Sequence, residues 1–203
     1  MSAVEHHADQ GHSPESHHLP PELVAHQQRR AMVLFIVADA VFFACMIFSY
    51  FYLRSLNVNN GWLPGTPTAS TGMIWLVAGI TALSALVYRS GELGIRAGSK
   101  SRFQAGTVGA ILLLLVAIAV TFYQMHTWSI LMSDGSYASN FIVMTATQLV
   151  HLFLVLFIGI GIWIRGAQGK FDDGQYNHVT LVGYYWYWVA LAGVLGALTS
   201  LFV

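Results

Sequence analysis

An all-α integral membrane bundle of five transmembrane helices, with the N-terminus cytoplasmic and the C-terminus on the outer face, is the fold class this sequence predicts. Three observations carry it. Of 203 residues, 56% are hydrophobic and 9% charged, which is too apolar for a soluble domain of this size. Five proline-free runs, residues 31–53, 71–88, 105–125, 141–164 and 181–203, are each long enough to cross ~30 Å of hydrocarbon. The basic residues also segregate. With the N-terminus inside, Arg29, Arg30, Arg89, Arg96, Lys100, Arg102, Arg165 and Lys170 fall on the cytoplasmic side and only Arg54 outside, as short loops retain Lys and Arg inside.

Taken in order, residues 1–28 form a polar tail in which His6, His7, His12, His17, His18 and His26 stand among Pro, Ser and Glu. That composition suits a solvated segment, disordered or lying along the membrane surface. Its His pairs offer a possible metal capture site, with a solvated tail as the plainer reading. No basic n-region precedes a short apolar stretch, so the tail is not a cleavable signal. Residues 29–203 make up the membrane domain.

The first span holds Asp39, the one acidic residue inside any of the five apolar runs, with Phe42 and Phe43 one turn further on. An ionised Asp at a helix centre costs roughly 2.5–3.5 kcal/mol on insertion scales, so it is expected to face inward. Desolvation favours the protonated acid, which stays titratable where water reaches it. Asp39 is therefore either a proton-relaying or buffering group, or a protonated acid that hydrogen-bonds a neighbouring helix. Cys45, in the same span, is the single cysteine. It excludes an internal disulfide and a thiolate metal cage and is expected to be a small packing residue.

The first outer loop, 54–70, carries Asn-Asn-Gly and turn-forming positions at Pro64, Gly65 and Pro67, and is expected as ordered turns. The third span ends near Gln124. In the fourth, Gln148 and His151 stand at i and i+3 on one helix face. The side chains of Gln124, Gln148 and His151 are candidates for interhelical hydrogen bonds or for lining a cleft. The short loop 126–140 contains Asp134-Gly135, and Phe171-Asp172-Asp173-Gly174 reads as a solvated turn. Tyr50 to Tyr52, Trp128 and Tyr184 to Trp188 are placed where an interfacial aromatic belt is expected. Small residues four apart, Ala105/Gly109, Gly106/Ala110 and Gly193/Ala197, permit close helix approach.

Several functions find no support. Formal net charge is zero and no basic cluster interleaves with aromatics, which argues against nucleic-acid binding. There is no phosphate loop, nucleophile elbow or triad. His151 is the one histidine well inside a span, too few ligands for a haem or copper centre.

The chain resembles subunit III of the haem-copper respiratory oxidases in its short, five-span bacterial form, over residues 30–203. The resemblance rests on Ala38-Asp39-Ala40-Val41-Phe42-Phe43, where that family carries a Ser-Glu-Val-x-Phe-Phe type motif, followed by Tyr50-Phe51-Tyr52-Leu53-Arg54. Gly61-Trp62-Leu63-Pro64 and Tyr184-Tyr185-Trp186 add to it. Gln124-Met125 stands in place of a Glu-Tyr motif, and Gln148-Leu149-Val150-His151 in place of a His-x-x-His pair, so two amides could preserve an interhelical hydrogen bond without charge. The family's His and Asp after Tyr-Tyr-Trp fall at Tyr187 and Ala190.

The resemblance implies a non-catalytic subunit in a bacterial cytoplasmic membrane, in direct contact with oxidase subunit I and assembled with subunit II. It implies bound phospholipid and haem and copper held only by the partners, with Asp39 as the intramembrane carboxylate supporting proton uptake. Cytochrome c or quinol would be the electron donor. The alternatives are an accessory subunit associated with nitric oxide reductase, or an independent small transporter or proton channel lined by Asp39 and His151. Absence of inverted repeats and of proline-interrupted helices counts against the latter.

Overall fold

The computed structural model describes residues 20–65, 68–171 and 176–203. The tail histidines from His6 to His18, Pro67 and the Asp172-Asp173-Gly174 turn lie outside the described residues. Five α-helices carry the fold: α1 (Pro21–Leu56), α2 (Thr71–Arg96), α3 (Lys100–Thr127), α4 (Ser136–Ala167) and α5 (Asn177–Thr199). All five are long and apolar enough to cross a membrane, so the chain is a multi-pass membrane protein.

The first four helices end beyond their apolar runs and four of the five begin before them, because hydropathy measures what hydrocarbon covers whereas a helix ends where its backbone bonding is interrupted; the run 181–203 is instead divided, with α5 ending at Thr199 and a 3₁₀ turn following at Ser200–Phe202. α1 begins at Pro21, at a position where proline presets helical φ and its missing N–H is no loss. Residues 21–28, expected in the polar tail, are therefore helical. They are also tied down: Arg29 Nε donates to Asn177 Oδ1, and Asn177 Nδ2 donates to Gln28 Oε1 at 2.7 Å, joining the third turn of α1 to the first turn of α5. α2 continues past Tyr88 to Arg96 and stops at Gly98, whose φ of +80° ends helical geometry. Ser99 then caps α3 by accepting from Arg102 N–H.

Helices α2, α3, α4 and α5 form a ring in which each packs on the next and α5 closes back on α2; α1 lies outside it, in the groove between α4 and α5. Its inward stripe, Met32, Ile36, Ala40, Phe43 and Met46, joins the main core, at the 3.6-residue period an amphipathic contact requires. Its other face is exposed. Cys45 lies there, so it is not the packing residue expected from its size.

The α2–α3 contact depends on glycine. A Cβ on Gly106 would lie 2.7 Å from Gly91 Cα, and because backbone cannot rotate aside, the helices would have to separate. Gly106→Ala is expected to destabilise by about 1–3 kcal/mol through overpacking. Gly79, with nothing within 4 Å of its built Cβ, is the control: its alanine variant should be neutral or slightly stabilised in a detergent-unfolding titration. Of the other small residues at this spacing, Ala105 is exposed and Gly193 meets the Gln148 amide.

The described residues of the loop between α1 and α2 are ordered by turns up to Gly65, with one 3₁₀ turn at Val58–Asn60. It is pinned onto the start of α4, where Ser136 N–H donates to Gly61 O and Tyr137 N–H to Trp62 O. Trp62 is buried edge-on against Tyr50, at 4.9 Å, and Tyr137. The expected aromatic belt is corrected in part. Tyr50, Tyr185, Trp186 and Trp188 are buried in the protein, and Trp186 stacks on Tyr88 at 4.5 Å while its Nε1 donates to Ser84 Oγ. Large aromatics supply more contact area to a helix core than small apolar residues can.

Candidate functional site: a carboxyl held by three helices

Asp39 faces inward from the middle of α1 and is met by one side chain from each neighbouring helix. His151 Nε2 of α4 lies 3.1 Å from Oδ1, and Trp188 Nε1 of α5 donates to Oδ2 at 2.6 Å. The Asp39 and His151 side chains are 12% and 10% exposed, so both oxygens are engaged in a nearly dry environment.

The protonation of the pair follows from its bonding. His151 Nδ1 lies 2.7 Å from the Thr147 carbonyl oxygen, which can only accept, so Nδ1 carries a hydrogen. If the ring is neutral, Nε2 is an acceptor and Asp39 must supply the proton; if Nε2 also carries hydrogen, the ring is cationic and Asp39 anionic. Either way, one proton is shared between Oδ1 and Nε2 and the pair is neutral overall. This is a form in which a carboxyl tolerates burial in a membrane without a separate counter-ion.

Aromatic rings close the surroundings. Phe43, buried one turn along α1, sets its ring edge-on to His151 at 5.1 Å and to Trp188 at 5.9 Å. Tyr185 lies 6.4 Å from His151. Phe42, expected alongside Phe43, points outward and is exposed.

The glutamines take a different place. Gln148 Nε2 donates to Val189 O of α5 at 3.2 Å, an interhelical bond of the expected kind, but to backbone. Gln124 Nε2 and Gln148 Oε1 each have no partner, so the direct bond between the two amides, expected from their joint substitution, is not formed. Both side chains line one cavity on the far side of Phe43.

A second ionic cluster was not anticipated. Glu92 of α2 is 1% exposed and accepts from Arg89 Nη1 at 2.8 Å and Arg96 Nη2 at 2.9 Å. Tyr187 Oη of α5 also donates to it at 2.8 Å. Arg96 Nη2 reaches Thr180 Oγ1 as well, at 2.7 Å. Ending the second span at Tyr88 placed Glu92 in a loop, although Arg89, Glu92 and Arg96 stand at i−3 and i+4, the spacing that pairs charges along a helix. Tyr187 thus partners a carboxylate from α2, while Ala190 is buried in the core. Trp188 was read as an interfacial aromatic, and no local pattern marks its indole as a donor to Asp39. Among the described residues, no group of three or more His, Cys, Asp or Glu is placed to hold a metal ion.

No protein-family model matches the chain. The chain is similar to the protein named cytochrome c oxidase subunit 3 in Corynebacterium diphtheriae, 22% identical over 90% of this chain and 94% of that one. It is likewise similar to the proteins of the same name in Hippopotamus amphibius, 27% identical over 86% of this chain and 68% of that one, and in Neurospora crassa, 25% identical over 77% and 60%.

Proposed function

The chain is a distant homologue of cytochrome c oxidase subunit 3 over most of its length, and from that premise we propose that it is the non-catalytic third subunit of a proton-pumping terminal oxidase. In this reading it lies in a bacterial cytoplasmic membrane with its N-terminus inside, the side that receives Arg29, Arg30 and six further basic residues. It packs directly against subunit I, assembles with subunit II and holds phospholipid. Oxygen reduction stays with the haem and copper of those partners, and the role of this chain is to support proton uptake and the working stability of the catalytic subunit.

The observation that supports the reading is the hydrogen bond between Asp39 and His151, both nearly buried between α1 and α4. A hydrogen-bonded carboxyl and imidazole can pass a proton from one to the other without a change in net charge, which is what a relay inside a membrane requires of its members. Asp39→Asn tests this with little disturbance: the amide can donate to neutral His151 Nε2 and accept from Trp188 Nε1, so the three-helix contact is kept while the exchangeable proton is removed. The complex is expected to assemble normally and to lose turnover, or the number of turnovers before inactivation, by a factor of several. Unchanged turnover together with unchanged lifetime would reduce Asp39 to a packing element.

Membership of the complex is tested separately. Gentle purification from native membranes should bring haem absorption bands and larger co-migrating subunits. A colourless monomer that moves protons in liposomes by itself would replace this reading with the transporter.

A further inference from the structure

Between the helices of the ring, towards the end where α4 begins, is a cavity of ≈ 70 Å³, measured as space open to the centre of a water molecule. Its walls are mostly apolar, with Phe43, Val77, Ala78 and Met144 among them, but Gln124, Gln148, Thr121 and Thr199 also line it. Gln124 is 4% exposed, and its Nε2 is a buried donor with no partner; Gln148 Oε1 is a buried acceptor with none. The Gln148 orientation is not arbitrary, since Nε2 must face the Val189 carbonyl to which it donates. Thr121 and Thr199 spend their hydroxyl hydrogens on Ala117 O and Gly196 O, which leaves oxygen lone pairs able to accept.

We propose that this cavity is a water-binding site, in which a small cluster of waters accepts from Gln124 Nε2 and donates to Gln148 Oε1, Thr121 Oγ1 and Thr199 Oγ1. The volume fits, because a water needs ~10–15 Å³ of such space and two to four polar partners; the cavity has room for on the order of five. Hydrocarbon is the wrong occupant. A lipid tail would leave the glutamine donor and acceptor desolvated, at about 1–3 kcal/mol each. A charged ligand is equally unsuited, since no ionisable side chain lines the space. The waters complete the hydrogen bonding that the two unpaired amides leave open. Phe43 lines the cavity and packs on His151, so a single ring separates this water from the Asp39–His151 pair. The water site does not depend on the oxidase complex.

Hydroxyl-radical labelling by brief X-ray irradiation of the protein in lipid nanodiscs tests the proposal, because bound water activated in place oxidises the side chains around it. Met144, 8% exposed and in the cavity wall, is the reporter. It should be labelled in the native protein and lose most of that label, several-fold or more, in the Gln124→Met/Gln148→Met double variant. Ala78→Leu, which fills the cavity without touching either amide, should have the same effect. An unlabelled Met144 in the native protein, equal labelling in a folded double variant, or xenon occupying the cavity under pressure would each overturn the proposal, since a dry or lipid-filled space gives those results.

Discussion

His151→Leu is expected to cost about 3 kcal/mol of stability, the low end of the ~3–5 kcal/mol lost when one member of a buried pair is removed. The loss sits at that end because Trp188 still holds Oδ2 and the acid can take a proton. Asp39→Leu should cost about as much, because the imidazole keeps its Thr147 bond but strands one ring nitrogen, and the buried Trp188 indole N–H loses its acceptor, at about 1–3 kcal/mol for each stranded group. The informative variant is the double replacement. With both polar groups gone, only the Trp188 indole N–H is left without its partner, and apolar side chains can fill the volume between α1, α4 and α5. The Asp39→Leu/His151→Leu protein is expected to lose clearly less stability than the sum of the two single losses. Unfolding titrations in mixed micelles, followed by tryptophan emission, would measure the coupling; simple additivity of the two single losses would show that the pair shares no proton and contributes no mutual stabilisation.

Removal of Glu92 is expected to be the next largest effect, about 2–3 kcal/mol for Glu92→Ala. The carboxylate is buried, but its two arginines are 49% and 43% exposed, so water and headgroups solvate them once it is gone and the full penalty for stranded charge does not arise. What is lost is the ionic tie between α2 and α5, one of several polar links between them: the Tyr187 hydroxyl no longer has its acceptor, and Arg96 is no longer held beside Thr180. Hydrogen bonds to a charged group contribute roughly 1.5–3 kcal/mol, so Tyr187→Phe should lose a little less than Glu92→Ala. The Glu92→Ala/Tyr187→Phe double variant should lose no more than Glu92→Ala does. If Tyr187→Phe has no effect in the native background, the α2–α5 tie is carried by the arginines alone.

Much of the fold was legible because a bilayer restricts what a chain can do. With no water to satisfy backbone groups, a run of twenty apolar residues must become a helix, and five such runs became five helices. Helix ends were less legible, since α1 and α2 extend through polar residues whose helicity is supported by Pro21, the Asn177 contacts and the Glu92 ion pairs. The same error hid Glu92, whose charge partners lie three and four residues away but whose hydroxyl partner is 95 residues distant. The aromatics misled for a different reason: Trp and Tyr suit both an interface and a crowded helix contact, and only their neighbours distinguish the two.

The number of helices, their order and the presence of an acid that must face inward follow from the chain's own residues, because lipid length and desolvation act on each segment separately. Which groups meet that acid follows from nothing local. His151 and Trp188 lie 112 and 149 residues from Asp39, and they reach it only because α1 settles in the groove between α4 and α5 at one rotation and one height. A turn's slip of α1, ~5.4 Å, would preserve every hydrophobic run and separate the carboxyl from both partners, so the packing of the assembled bundle alone decides that Asp39 meets His151 and Trp188.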